Sequence, residues 1–117
     1  MENDRKRSIA LMVTREGMGT AAGALPQELL RKYALLLMEN NTLPGAICFY
    51  ADGVKLVVEG SPLLDVLHDL EEQGVHLIVC RTCLVHFDLE ERVRVGIVGG
   101  MGDIIAAQWT AEKVITL

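Results

Sequence analysis

Gly74-Val75-His76-Leu77-Ile78-Val79-Cys80-Arg81-Thr82-Cys83 is the stretch on which the reading of the fold turns. A short apolar run opened by glycine reads as a buried strand over 75–79, ending in Cys80. Cys83 follows three residues on, where a helix should begin. Immediately upstream, Leu63, Val66, Leu67 and Leu70 make one apolar helical face, opposed by Asp65, His68, Asp69, Glu71 and Glu72. Ser61 is expected to cap that helix with Pro62 in its first turn, and Gly74 to close it from the C′ position. Helix then strand is half of a β-α-β unit, and the rest of the chain repeats it.

Downstream of Cys83, Leu84, Val85 and Phe87 predict a short helix ending near Asp88. Val93 to Val98 reads as a short strand or an extended segment, and Gly99-Gly100-Met101-Gly102 as a turn. A helix from Asp103 carries Ile104, Ile105, Ala107 and Trp109 before a terminal strand over 113–117. On the other side, Ser8 to Val13 is a strand apolar on both faces. A loop containing Gly17, Gly19 and Gly23 follows it. Leu29, Leu30, Tyr33, Ala34, Leu36 and Leu37 recur at helical spacing over 26–39, and Leu35 and Met38 widen the stripe toward a second subunit. Ala46 to Tyr50 is a further buried strand containing Cys48; the state of Val54 to Val58 stays open. Regular alternation of this kind builds a parallel sheet with helices on both faces, whose ligands sit at the carboxyl ends of the strands. Residues 1–7 are expected to be a flexible tail and residues 8–117 one domain.

Composition excludes several functions. Net charge is −5, against nucleic acid as a partner; the one basic run, Arg5-Lys6-Arg7, falls in the tail. No apolar run approaches the roughly 20 residues of a membrane helix, and no signal peptide is visible, so a cytoplasmic protein with no membrane partner is expected. Aromatics are 4% while half the residues are hydrophobic, so the core is aliphatic and some apolar surface is expected to be covered in a homo-oligomer. Three cysteines in a reducing compartment point to free thiols rather than structural disulfides.

Three features converge on the carboxyl edge: the Gly17–Gly23 loop, the Cys80 turn and the Gly99–Gly102 turn. Gly17, Gly19, Arg81, Thr82, His86 and Gly100 are accordingly expected to line a site whose reactive groups are Cys80 and Cys83. The G-x-G-x-x-x-G loop misses the dinucleotide fingerprint by one residue, and no Lys-Ser/Thr pair makes it a P-loop. A cysteine at a strand-to-helix junction beside Arg81 is expected to have a lowered pKa, since helix dipole and cation both favour thiolate. Such a thiolate can accept a sulfur atom as a persulfide, and a thiol one turn away can release it by forming a disulfide. The same C-x-x-C can be a redox dithiol, a buried structural pair, or, with His86, three ligands of a zinc site lacking its fourth. No metal and no cofactor are expected.

The ordered motifs Phe49-Tyr50, Gly53-Val54-Lys55-Leu56, Val58-Glu59-Gly60-Ser61-Pro62, Leu70-Glu71, Gly74-Val75, Cys80-x-Thr82-Cys83-Leu84 and 113–117 resemble the DsrE/DsrF-like family. They are most similar to the DsrE-like domain of the YedF group, described as sulfurtransferase-like and linked to selenium metabolism. The resemblance implies a three-layer α/β/α fold with a five-stranded parallel sheet, in homo- or hetero-oligomers. It implies a persulfide carried on the cysteine after the third strand, matched by Cys80, and matches Cys83 to a second cysteine peculiar to the YedF group. It implies a sulfur donor or acceptor protein of the TusA/SirA type; this chain is too short to hold such a domain itself. Two positions depart from the pattern, Arg81 and Asp88, where glycine is common. Many DsrE-like proteins lack the cysteine, so the resemblance admits, as the alternative, a non-catalytic oligomeric binding module.

Overall fold

The computed structural model describes residues 8–117; the tail over 1–7 and its basic run lie outside the described residues. Five strands form one parallel sheet: β1 (Ile9–Val13), β2 (Ala46–Phe49), β3 (His76–Cys80), β4 (Ile97–Gly99) and β5 (Lys113–Thr116), in the order β4-β3-β2-β1-β5. Four α-helices connect them: α1 (Leu25–Glu39), α2 (Leu64–Glu72), α3 (Arg81–His86) and α4 (Met101–Thr110).

The topology explains the layers. From β1 to β4 each strand is laid beside the last in one direction, and right-handed crossovers then put α1 and α2 on the same face. The step from β4 back to β5 reverses direction, so α4 crosses the opposite face, against β2, β3 and β4. This is the three-layer α/β/α arrangement with five parallel strands. Alternation divides the core: Leu11, Val13, Ile47 and Phe49 meet Leu30, Ala34, Leu67 and Leu70 of α1 and α2. Met12 points the other way, its Sδ 3.4 Å from Gln108 Nε2 on α4. Arg31 ties α1 to α2 through both oxygens of Asp65, at 3.0 Å each, and the Pro62 carbonyl.

Several boundaries differ from the sequence reading. Ser61 does not cap α2: its Oγ accepts from Leu63 N–H at 3.1 Å, making a local turn, and the helix starts at Leu64. Gly74, at φ +95°, does close it, with Val75 N–H on Leu70 C=O and Gly74 N–H on Glu71 C=O. Cys83 lies inside α3 rather than before it, and α4 begins at Met101 because Asp103 accepts the Gly100 N–H at 2.9 Å. The open segment over 54–58 is the end of a 3₁₀ helix, Ala51–Leu56, followed by one antiparallel bridge from Val58 to Val93. On α1, Leu30 and Ala34 are buried, whereas Leu25, Leu29, Leu35 and Leu36 face outward. On α4 only Ile104 is buried; Met101, Ile105 and Trp109 are exposed, Trp109 at 85%. No helix among the described residues is long and apolar enough to cross a membrane.

Candidate functional site

Where β3 runs out, Cys80 occupies the N-cap of α3 and Cys83 its N3 position. Side chains at N-cap and N3 face one another across the first turn of a helix, the geometry behind reciprocal capping. The two thiols are accordingly coupled electrostatically, and both are free. Their environments differ. Cys80 is the last residue of β3, paired in the ladder with Gly99, and its side chain is 0% exposed within the aliphatic core. Cys83 is only half-buried. The sequence placed the open thiol at Cys80; the structure seals Cys80 and leaves Cys83 as the less buried of the two, because the last residue of a strand still within the ladder inherits the burial of the sheet.

The wall facing Cys83 comes from the exit of β2. Tyr50 is extended and Ala51 turns into the left-handed region at φ +52°, so that the Ala51 N–H donates to Cys83 Sγ at 3.1 Å. Burial pushes the Cys83 thiol above its ordinary 9.0; the Ala51 N–H pulls the other way, and sharing with Cys80 raises it further. The net direction is upward, against the sequence expectation, because desolvation of the anion outweighs one amide donor.

The turn is locked on both sides. Tyr50 N–H donates to Val13 C=O at 3.1 Å, and Gly53 is pressed so closely onto β1 that a Cβ would lie 2.0 Å from that oxygen. Lys55 binds Asp52 at 2.9 Å and Glu16 at 3.3 Å, and its ammonium lies over the Phe87 ring, 4.3 Å from the centroid. One lysine therefore joins the loop after β1, the 3₁₀ turn and the end of α3. Asp52 and Lys55 also line an open cavity of about 530 Å³ beneath that loop, with Arg15, Glu16, Gly19, Thr20 and Gln27.

The residues predicted to line the site divide. Gly19 lines the cavity, and Gly100 caps α4 one residue beyond the ladder partner of Cys80. Arg81 and Thr82 are exposed on the first turn of α3, beside the thiols. Gly17 is buried against Pro26, where a Cβ would clash with backbone at 2.4 Å, so it shapes the loop. His86 lies exposed at the far end of α3, its ring edge-on to Phe87 at 4.9 Å. The zinc reading fails on geometry: among the described residues the trio with ligand atoms within 4.8 Å of one another is His68, Asp69 and Glu72, on α2, and not Cys80, Cys83 and His86. Ala51, Lys55 and Phe87 were missed. The G-V-K-L motif flags Lys55 only as family pattern, and nothing in an alanine marks its amide as a sulfur ligand.

Comparison with known proteins gives a consistent result. A family model described as DsrE/DsrF-like matches residues 8–117. No curated protein matches the sequence. Among solved structures, a protein of unknown function, MTH1491 from Methanobacterium thermoautotrophicum, superposes with a TM-score of 0.70 at 18% identity, covering 93% of this chain and 97% of that one. The ychN protein from E. coli gives 0.69 at 17%, covering 92% and 97%. BT1422 from Bacteroides thetaiotaomicron, a conserved protein of unknown function, gives 0.64 at 16%, covering 94% and 95%. At these identities the structural likeness concerns the fold alone.

Proposed function

The chain belongs to the DsrE/DsrF-like family, and from that premise we propose that it is a sulfur carrier that holds a persulfide on the Cys80–Cys83 dithiol. The observation that carries this reading is the pairing of two free, coupled thiols at one helix start, one half-buried and one sealed. Cys83 meets the donor. Its thiolate attacks the outer sulfur of a donor persulfide; the new S–S bond forms as the donor's own S–S bond breaks, and the donor leaves as a thiolate. Delivery to an acceptor thiol is the same step reversed. Alternatively Cys80 attacks Cys83 Sγ, expelling hydrosulfide and leaving a Cys80–Cys83 disulfide: the sulfane sulfur is reduced while two thiols are oxidised. Helix geometry puts residues i and i+3 about 5 Å apart at Cα, within disulfide reach.

The donor and acceptor are protein thiols, a TusA/SirA-like chain being the first candidate. The exposed apolar residues of α4, Met101, Ile105 and Trp109, support a homo-oligomer, which light scattering tests.

Incubation with a persulfide donor followed by intact-mass measurement tests the carrier reading. Wild type should gain the mass of one sulfur atom. Cys83→Ser should gain nothing; Cys80→Ser should gain the sulfur but release no hydrosulfide. Loading that survives Cys83→Ser would overturn the assignment of Cys83. The interacting thiols also favour a second reading, a redox dithiol with no sulfur cargo. Sulfane sulfur recovered by cyanolysis from the purified protein would exclude it as the sole activity.

A further inference from the structure

Ala51 is a non-glycine residue in the left-handed region, at φ +52°, directly after β2. For an L-residue with a Cβ that conformation is unfavourable, a cost glycine escapes. Strain of this kind persists only where surrounding structure over-determines it, and it clusters at functional sites. Here the surroundings do over-determine it. Gly53 is wedged onto the Val13 carbonyl, Gly53 N–H donates to the Tyr50 carbonyl at 3.0 Å, and Lys55 clamps the turn to Glu16 and Phe87. The product of the strain is one backbone N–H fixed on the sulfur of the accessible cysteine at 3.1 Å.

We propose that the Ala51 backbone N–H is the anion donor of this site, holding negative charge on Cys83 Sγ as that sulfur attacks and again as it leaves. A neutral thiol is a weak acceptor, whereas a thiolate takes a charge-assisted hydrogen bond about twice as strong, so a fixed donor favours the anion differentially. Because the turn is held from both sides, the donor does not have to reorganise when charge appears, which is what makes preorganised dipoles effective. The inference rests on the carrier reading for its use in both directions of transfer: Cys83 is anionic at the start of loading and at the end of delivery, and one amide serves both. It runs counter to desolvation, which raises the Cys83 thiol. The amide thus recovers part of the reactivity that shelter from water removes.

Replacing Ala51 by lactic acid, by chemical ligation, converts the Tyr50–Ala51 amide into an ester and deletes this N–H alone. The readout is the pH profile of Cys83 carbamidomethylation by iodoacetamide, followed by peptide mass mapping. The expected result is a midpoint moved to higher pH, with the rate at pH 7 lowered about tenfold. Ala51→Gly, made by ordinary expression, keeps the N–H but loosens it, and should move the profile the same way by about twofold. Unchanged midpoints in both proteins overturn the proposal. Alkylation needs no sulfur donor. Failure of persulfide loading therefore counts against the carrier reading alone, and an unmoved pH profile against the amide alone.

Discussion

Cys48 and Cys83 are one residue type in two regions of one molecule. In the middle of β2, Cys48 is a small hydrophobe: it is 0% exposed, and burial alone pushes its thiol up to about 11. Beyond β3, Cys83 is half-buried, is coupled to a second thiol and receives a backbone N–H. Both thiols are shifted upward, so direction of shift does not separate a core cysteine from a site cysteine. What separates them is that Cys83 has a donor positioned for its anion and a path to solvent. Cys80 stands between the two, sealed like Cys48 yet coupled to Cys83 across the first turn of α3.

The most severe way to break this comparison is to count reactive thiols in the native state. With iodoacetamide at pH 8, Cys83 should react about a thousandfold faster than Cys48 or Cys80, because the sealed pair reacts only through opening of the core. In denaturant the three rates should converge. A Cys80 as fast as Cys83 in the folded protein would mean that the end of β3 opens freely and that the two positions cannot be told apart by burial.

A smaller effect sharpens the Cys48 side. Cys48 is an acid whose proton is held longer in the folded protein than in the unfolded chain. Its contribution to stability is intact below pH 9.0 and is lost as pH rises from there toward about 11. Over that window the loss reaches about 3 kcal/mol. Tyr33 and Cys83, also raised by burial, add to the slope with the same sign. Urea unfolding of wild type and Cys48→Ala at pH 8 and pH 10.5, in reductant, should give a distinctly flatter pH dependence for the variant. Equal slopes would remove the buried-thiol account of Cys48.

The same contrast explains what was legible in the sequence. The sheet was, since strands buried on both faces leave unbroken apolar runs such as Leu11-Met12-Val13 and Leu77-Ile78-Val79, and the alternation with helices dictates parallel order. The C-x-x-C at the end of β3 was legible as chemistry because two thiols at N-cap and N3 of any helix must meet. Which thiol faces outward was not, because it depends on Gly99 of β4 lying beside Cys80 in the ladder. Nor was the outward face of α1: Leu29 and Leu36 carry the helical period as well as Leu30 and Ala34 do, and only the position of the sheet selects between them. Ala51 was invisible for a stronger reason. Its contribution is a backbone amide and a positive φ, and the side chain that the sequence records takes no part in either.

The finest test compares the two left-handed residues that flank α3, Ala51 at φ +52° and Asp88 at φ +58°. Asp88 closes α3: its N–H binds Val85 C=O at 3.1 Å, Leu89 N–H binds Leu84 C=O at 2.8 Å, and Leu89 packs on the core. This is a Schellman exit, which glycine normally serves at C′, so aspartate here keeps a glycine-like backbone rather than changing the helix end. Aspartate tolerates the left-handed region better than alanine does. Replacement by glycine gains relief of strain and loses unfolded-state restriction in both cases, so the net gains are small: about 0.5 kcal/mol for Ala51→Gly and about 0.2 kcal/mol for Asp88→Gly, measured by urea unfolding. The two should part on the Cys83 pH profile. Asp88→Gly leaves the sulfur's donor untouched and should leave the profile where it is, whereas Ala51→Gly should displace it. If both glycine variants gain stability and neither moves the profile, the strain at Ala51 is only a turn, and the amide on Cys83 is a neighbour without a role in its charge.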